Sequence, residues 1–406
     1  MTGLYDEFIS VYRDEGIAKA VNWAARNIII SGSQARTYAF VDTFSPFFLK
    51  RDGLERRLQD NGTIEYYGKQ RDCDIQLPDG TDHPEIIVER SGTYPISQPF
   101  VGELKNVNLV GSYPIPINQY REIVLESVVS PPVFALNVAF SLRDALHYPK
   151  RTPTRRCPSS IDCAVLLYNR WNRGYYHWTA EALTRLEGVE KYEERTGTRP
   201  KIIVGPELNR FQRQSLELLG YGQEDLIQWD RWNGSVDRFV VPSMRRELNL
   251  GMTSPVAYWW LREKMRANAA DQASDAIDDS SKRIYISRED APRRRVVNED
   301  AVLQVLRKHG FEKYVLSERS VAENVNLFAQ ADVIVGPHGA GLTDIIYSDD
   351  ATVIELFRSN DVRPTYYVLS EQLGHQYRYL LCDYEGPNLV VNTSDLEDMI
   401  HQKVEL

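Results

Sequence analysis

The fold is decided by the segment Ala331-Asp332-Val333-Ile334-Val335-Gly336-Pro337-His338-Gly339-Ala340-Gly341-Leu342-Thr343-Asp344. An apolar run of strand length leads into a turn with two closely spaced glycines, and a helical pattern follows from about Leu342. Backbone N–H groups and the positive end of a helix then converge on one point, which suits an anion. Small residues let a diphosphate approach the backbone, and His338 can donate a hydrogen bond to it. The alternative is a tight turn whose histidine is satisfied within the protein.

Strands and helices alternate on both sides of this segment. After residue 282 the pattern predicts strands at 283–287, 314–316, 332–336 and 352–357 and helices at 298–309, 321–330 and 342–347. Before residue 268 it predicts strands at 164–168, 201–205, 225–229 and 238–241 and helices at 175–186, 209–219 and 256–268. Such alternation indicates βαβ units with parallel strands. We therefore predict an α/β fold with two consecutive Rossmann-like domains and a cleft between them.

The first part of the chain has a different pattern. Residues 4–13 and 17–27 have helical spacing, and residues 63–130 contain short alternating runs, at 86–88, 107–110 and 123–126, which are typical of antiparallel strands. A basic, proline-rich stretch at 148–158 and a polar, Asp-rich stretch at 269–281 mark boundaries. The predicted division is an N-terminal helical and then β-rich region over 1–155, one Rossmann-like domain over 156–268 and another over 282–406.

Composition narrows the class of protein. The chain has 406 residues, 42% of them hydrophobic and 26% charged, which is typical of a globular protein. Its net charge of −9 argues against a nucleic-acid partner. Apolar runs are too short to span a bilayer, and no secretory signal pattern is present, so we expect a cytoplasmic protein. The four scattered cysteines predict buried free thiols.

Two further places carry cationic or titratable groups. Arg288 directly follows a predicted strand, and Arg294 lies in an arginine triplet just beyond it; guanidinium groups there suit phosphate oxygens, although a triplet is also typical of a solvated face. His177 and Glu181 are four residues apart in a helical pattern rich in aromatic residues. The carboxylate can orient the imidazole as a general base, or the histidine can be a core residue. No third metal ligand lies nearby in the sequence, so we predict no metal site.

Glu355 lies near the end of a predicted strand. A carboxylate in that position can accept hydrogen bonds from both ribose hydroxyls of a nucleoside, as in dinucleotide-binding folds. An outward-facing glutamate on an alternating strand is the alternative.

In this order, these elements resemble the family 61 glycosyltransferases over about residues 100–380. The matching residues are Tyr176-His177-Trp178 with Glu181, Ile286-Ser287-Arg288 with Arg294-Arg295 and Asn298, the run from Val333 to Thr343, and Ala351-Thr352-Val353-Ile354-Glu355. Members of the family often have Asn after the Gly-Leu pair, where this chain has Thr343-Asp344.

The resemblance implies a GT-B architecture and an inverting hexosyl or pentosyl transfer from a UDP-sugar, without a metal or other cofactor. Carried over by position, the resemblance assigns the donor diphosphate to a set of residues in the second domain, namely Arg288, His338, Gly339, Ala340 and Gly341, and we predict that Arg294, Leu342 and Thr343 also bind it. The resemblance assigns the acceptor to His177 and Glu181 in the first domain, one of which is the base, and Glu355 remains our prediction for the nucleoside.

The resemblance also sets expectations about partners. It favours a prokaryotic polysaccharide-biosynthesis enzyme whose acceptor is a glycan or a lipid-linked carrier, with peripheral association at the inner face of the membrane left open. Two rival functions remain. One is a noncatalytic nucleotide-sugar binding module, and the other is a phosphate-processing hydrolase on a similar scaffold. The latter is weakened because no Gly-x-Gly-x-x-Gly or Walker motif is present.

Overall fold

The computed structural model describes residues 10, 38, 41–42, 45–80, 82–128, 130–147, 157–247, 252–270 and 282–404. The helices predicted at 4–13 and 17–27 lie outside the described residues, apart from the single position Ser10. All bounds below refer to the described part of the chain.

The region before residue 271 contains thirteen strands and six α-helices among its described residues. The strands are β1 (Phe48–Leu49), β2 (Glu65–Tyr66), β3 (Arg71–Ile75), β4 (Gly92–Ile96), β5 (Phe100–Val110), β6 (Ile115–Ile117), β7 (Ile123–Val124), β8 (Ser160–Leu166), β9 (Lys201–Val204), β10 (Leu226–Gln228), β11 (Asn233–Pro242), β12 (Arg246–Glu247) and β13 (Met252–Thr253). The helices are α1 (Arg51–Asp60), α2 (Glu85–Val88), α3 (Pro131–His147), α4 (Leu186–Thr196), α5 (Arg210–Leu218) and α6 (Pro255–Ala270).

Nine of these strands form one mixed sheet. Its order is β1-β7-β6-β5-β11-β8-β9-β10, with β2 paired to β5. Strands β11, β8, β9 and β10 are parallel, as the sequence predicts for a Rossmann-like unit, whereas β5 runs antiparallel to β11 along nine paired positions. The β-rich N-terminal region therefore extends the first parallel sheet.

The second sheet has six strands and is parallel except at one edge. Its elements are β14 (Arg283–Ile286), α7 (Glu299–Lys308), β15 (Glu312–Tyr314), α8 (Val321–Gln330), β16 (Val333–Pro337), β17 (Thr352–Arg358), α9 (Thr365–Leu373), β18 (Gln376–Glu385), β19 (Asn388–Val390) and α10 (Thr393–Val404). The strand order is β15-β14-β16-β17-β18-β19, and only the β18–β19 pair is antiparallel. The chain leaves β14 toward β15 and returns on the other side of β14 to form β16. A crevice at the carboxyl ends of β14 and β16 is the expected result.

The two sheets share a continuous apolar core. Helix α6 connects them, and its Leu261 and Met265 belong to the same buried cluster as Phe328 of α8 and Ile345 of the segment after β16. The β3–β4 hairpin also reaches the second sheet, because Tyr367 on α9 donates a hydrogen bond to the Gln76 carbonyl at 2.6 Å. These contacts fix the two sheets around the cleft.

The described residues confirm several details and correct one. All four cysteines are free and buried, as predicted. Residues 86–88 form helix α2 and not a strand, so that prediction is wrong; Pro84 lies at the N-cap of this short helix. In the part of the chain described, no helix has the length and apolar composition needed to cross a bilayer. The predicted boundaries near 155 and 282 remain predictions.

Candidate functional site

A cavity of about 320 Å³ lies at the crevice between β14 and β16. From the second sheet it is lined by Ser287 and Arg288, which follow β14, and by Ala340 and Gly341, which follow β16. From the first sheet's side it is closed by residues of α5 and by Tyr175. The predicted anion segment therefore lies at the topological switch point, where open α/β sheets bind their ligands.

The glycine turn owes its composition to close packing. Gly339 has an extended backbone with φ of 173°, and a Cβ built there would lie 1.9 Å from Nη1 of Arg288. A Cβ on Gly341 would lie 3.0 Å from the Leu316 side chain. Ala340 begins a 3-10 helix that ends at Tyr347, so the first N–H groups of that helix face the turn. The small residues thus make room for Arg288 to lie flat against the backbone.

We expect Gly339→Ala to remove donor binding without unfolding the protein. The new methyl group occupies the space of the Arg288 guanidinium, which is the far end of a flexible side chain and can move away. Donor affinity measured by calorimetry should fall at least tenfold, as though the arginine contact itself were lost. Gly53→Ala in α1, far from the cleft, is the matched control. Unchanged affinity in the Gly339 variant would contradict this role for the turn.

Arg288 is a half-buried cation that forms no ion pair with any described residue. Its Nε is buried without a hydrogen-bond partner, and burial lowers the pKa of the guanidinium below its ordinary value. Two more arginines, Arg210 and Arg319, line the same cavity. A desolvated cation beside a ligand-sized cavity is a strong feature of an anion site, because a bound anion would restore the missing charge partner.

Arg294 takes a different position from the one predicted for a diphosphate ligand. Its Nη1 donates to the His338 carbonyl at 3.2 Å, and its Nε lies 3.8 Å from the Asp361 carboxylate. Arg294 is not among the residues that line the cavity. In this structure Arg294 contacts the turn through the His338 carbonyl.

His338 is almost fully buried and is held by an acidic partner. Its Nδ1 lies 2.5 Å from Oε1 of Glu355, and the other oxygen of Glu355 accepts a hydrogen bond from Tyr377 at 2.6 Å. Because a carboxylate can only accept, Nδ1 carries the proton. The His338 ring also lies 5.3 Å from the rings of Phe357 and Tyr366.

Glu355 itself has no exposed surface, so it is not available to the ribose that the sequence assigned to it. Both of its oxygens are already engaged by His338 and Tyr377. Its observed role is to fix the tautomer and orientation of the histidine. The last two predicted residues of the turn lie in different places. Leu342 lines the cavity, whereas Thr343 is fully buried and its Oγ1 lies 3.4 Å from the Tyr366 hydroxyl.

His177 and Glu181 are brought together as predicted. They lie in a π-helical turn, His177–Ala182, a distortion that often occurs at functional sites. Nδ1 of His177 lies 2.9 Å from Oε2 of Glu181, and Oε1 of Glu181 is in contact with Arg246. Burial raises the pKa of Glu181, but the bonds from His177 and Arg246 outweigh it and leave the pKa below its ordinary value.

This arrangement separates the roles of the two residues. The Glu181 side chain is only 1% exposed and both of its oxygens are engaged, whereas the His177 side chain is 31% exposed. The hydrogen bonds among the described residues leave Nε2 of His177 unengaged. The Trp171 ring lies next to the imidazole, with centroids 4.7 Å apart and planes tilted by 33°, and provides an aromatic surface beside it. His177 is therefore the group that can exchange a proton with a ligand.

The His177 and His338 sites meet through a pair of tyrosines. The Tyr176 ring lies 5.5 Å from that of His177 and 6.1 Å from that of Tyr366, and Tyr366 in turn adjoins His338. His177 and Glu181 do not line the cavity itself. The structure thus places the two predicted sites on either side of a shared aromatic contact between the sheets.

Sequence reasoning missed several residues of the cavity, and a buried acid, Asp344, is one of them. It is 1% exposed, lines the cavity and accepts a hydrogen bond from the Tyr175 hydroxyl at 2.6 Å. The signal in the sequence is a single acid inside the apolar run from Leu342 to Ile346. A buried acid in an apolar segment is a common sign of a functional group.

A group of side chains that could share a metal ion lies elsewhere. Among the described residues it consists of His309, Glu397 and His401. His309 follows the end of α7, and its carbonyl accepts a hydrogen bond from Arg283 at the start of β14. The group therefore lies at the amino edge of the second sheet, opposite the cavity, and Lys308 is already 3.5 Å from Glu397.

Fold and cleft together define a class: an α/β protein whose switch-point cavity is prepared for a phosphorylated ligand. The family model described as Glycosyltransferase 61 matches residues 175–354, somewhat under half of the chain. The matched residues include both the His177–Glu181 pair and the turn at His338. This part of the chain is thus similar to the family 61 glycosyltransferases, and the similarity supports a glycosyltransferase function. No curated protein matches the chain.

Proposed function

We propose that the protein is an inverting glycosyltransferase of GT-B type that moves a hexosyl or pentosyl group from a nucleotide-sugar to a hydroxyl of a glycan or lipid-linked acceptor. A UDP-linked donor and an acceptor of polysaccharide biosynthesis are the choices that the family resemblance favours. The observation that carries the proposal is Arg288, a desolvated cation that forms no ion pair with a described residue, beside a cavity at the switch point within the matched region.

On the donor side, the diphosphate lies against the turn after β16. Arg288 and the N–H groups at the start of the 3-10 helix Ala340–Tyr347 contact its oxygens, and Arg210 and Arg319 add positive charge around the cavity. The leaving diphosphate gains negative charge as its bond to the sugar breaks. Groups oriented beforehand stabilise that charge more in the transition state than in the ground state. Because arginines supply the positive charge, we propose that transfer needs no metal ion.

On the acceptor side, His177 is the general base and Glu181 orients it. The acceptor hydroxyl gives its proton to Nε2 of His177 while Glu181 stabilises the imidazolium that forms. The acceptor oxygen bonds to the anomeric carbon as the bond from that carbon to the diphosphate oxygen breaks. A single in-line step of this kind inverts the configuration at the sugar.

Ligand binding gives the first test. We expect UDP and UDP-sugars at saturating concentration to raise the melting temperature by a few °C, since ligands that bind only the folded state stabilise it. ADP and inorganic phosphate serve as controls for general anion binding. No shift with any nucleoside diphosphate or nucleotide-sugar would contradict the proposal.

Turnover then separates the rival functions. A transferase releases UDP from a UDP-sugar only when an acceptor is present. Release of free sugar without an acceptor would favour the phosphate-processing hydrolase. Binding without turnover, across a panel of glycan and lipid-linked acceptors, would favour the noncatalytic module. The presence of an oriented histidine at His177 argues for turnover.

A further inference from the structure

Asp344 has one carboxylate oxygen that the protein leaves unsatisfied. Oδ1 accepts a hydrogen bond from the Tyr175 hydroxyl, whereas Oδ2 is buried and has no hydrogen-bond partner among the described residues. A buried polar atom without a partner is costly, and in native proteins it usually has a specific reason. Here the residue lines the cavity, so a ligand in the cavity can supply the partner.

The surroundings determine what kind of partner fits. Leu342 and Ile345 are buried apolar residues close to Asp344 in the chain. Burial raises the pKa of Asp344 to about 7, although the hydrogen bond from Tyr175 acts to lower it. The positively charged side chains of the cavity are Arg210, Arg288 and Arg319. None of them forms an ion pair with Asp344 in the described structure. The cavity therefore combines cations with a separate buried acceptor.

A ligand that satisfies both must carry an anionic group and a hydrogen-bond donor. A phosphate alone supplies the anionic group, but an ionised carboxylate would repel it. Sugar hydroxyl groups supply the second, and both the ribose and the transferred sugar of a nucleotide-sugar carry them. An isosteric amide at this position would present a donor where the ligand also presents one.

We propose that Asp344 binds a hydroxyl group of the donor ligand, which donates a hydrogen bond to Oδ2 while Tyr175 holds Oδ1. This inference rests on the proposed function, because the hydroxyl belongs either to the ribose or to the transferred sugar of the nucleotide-sugar. Asp344 is then a binding residue of the donor site, and Tyr175 a positioning residue that acts through it.

Calorimetry on the full chain with Asp344→Asn tests the proposal. The amide can keep the Tyr175 contact through its oxygen and has nearly the same shape, so we expect the melting temperature to change little. Affinity should fall at least tenfold, for UDP and UDP-glucose alike if the hydroxyl is that of ribose, and for UDP-glucose only if it is that of the transferred sugar. Asp332→Asn, which changes an exposed acid directly before β16 that does not line the cavity, is the charge-matched control and should bind both normally.

The outcomes separate the two proposals. If wild type binds UDP or UDP-glucose and Asp344→Asn binds both equally well, the assignment of Asp344 is wrong and the proposed function stands. If wild type binds neither these probes nor any other nucleoside diphosphate or nucleotide-sugar, the proposed function fails and the assignment fails with it.

The pH dependence of wild type is a second test that needs no variant. A hydroxyl donating to Oδ2 favours the ionised carboxylate, so binding releases a proton and affinity for UDP-glucose should fall by up to ~10-fold per pH unit below about pH 7. UDP-glucose is the suitable probe because its diphosphate is esterified at both ends and has no group that titrates in this range.

Titration of other groups around Asp344 must be distinguished from this pH dependence. The titratable and charged groups on the elements packed around it are Tyr175, Arg210, Tyr258, Arg262, Arg288, Asp290, Arg319, Glu323, Tyr347 and Tyr366. The decline of affinity below pH 7 should therefore disappear in Asp344→Asn. If affinity instead rises on acidification and this rise is lost in the variant, the carboxyl donates to phosphate and the assignment is overturned.

Discussion

Replacing Arg288 by glutamine is expected to lower kcat/KM for sugar transfer by ~10²-fold or more, and to weaken donor binding, while leaving the fold intact. Arg288 is a half-buried cation of the cavity and lies directly against Gly339. Its charge is desolvated and forms no ion pair with a described residue, so removing it costs no ion pair of that kind. We expect the melting temperature of the free protein to stay the same or to rise.

Paired measurements make this prediction specific. Donor affinity by calorimetry and the transfer rate should both fall for Arg288→Gln. Arg293→Gln, an exposed arginine five residues further along the chain, changes the net charge equally and should have little effect. Near-normal turnover in Arg288→Gln would remove this residue from the site and, with it, the main support for a diphosphate at the turn.

The second large effect is expected for His177→Ala. Loss of the general base should lower kcat by ~10²- to 10⁴-fold, whereas donor affinity should remain close to that of wild type, because His177 does not line the donor cavity. A transfer assay and calorimetry with the donor on the same variant separate the chemical step from binding.

A distant histidine provides the control. His309→Gln changes a residue at the amino edge of the second sheet and should leave the rate and the donor affinity unchanged. If His177→Ala loses donor affinity but not the chemical step, His177 belongs to the donor side and another base must be sought.

Regular alternation made much of the fold predictable. Helix α8 begins and ends where the pattern predicted, and strand β16 differs from its prediction by one residue at each end. Short apolar runs were less reliable, because three residues such as 86–88 fit a strand or one helical turn equally well. The sharing of a sheet by β5 and β11 could not be read from the sequence, since these strands are more than a hundred residues apart.

The site was predictable where neighbours in the chain make the contact. His177 and Glu181 meet because they are four residues apart, and Arg288 meets the glycine turn because β14 and β16 are adjacent strands. The ribose contact predicted for Glu355 does not fit its burial, because alternation along a strand does not tell which faces of the sheet other elements cover. Strand β17 lies between β16 and β18 and is buried on both faces, so its acid turns inward to His338.

The central position of β11 limits how the chain can be shortened. Its two neighbours, β5 and β8, both lie before residue 175, outside the stretch that matches the family. A fragment confined to the matched residues would carry β11 with both of its edges bare, and unpaired strand edges promote aggregation. A shortened chain that keeps both neighbours of β11 must therefore reach back at least to Phe100, well before the stretch that matches the family.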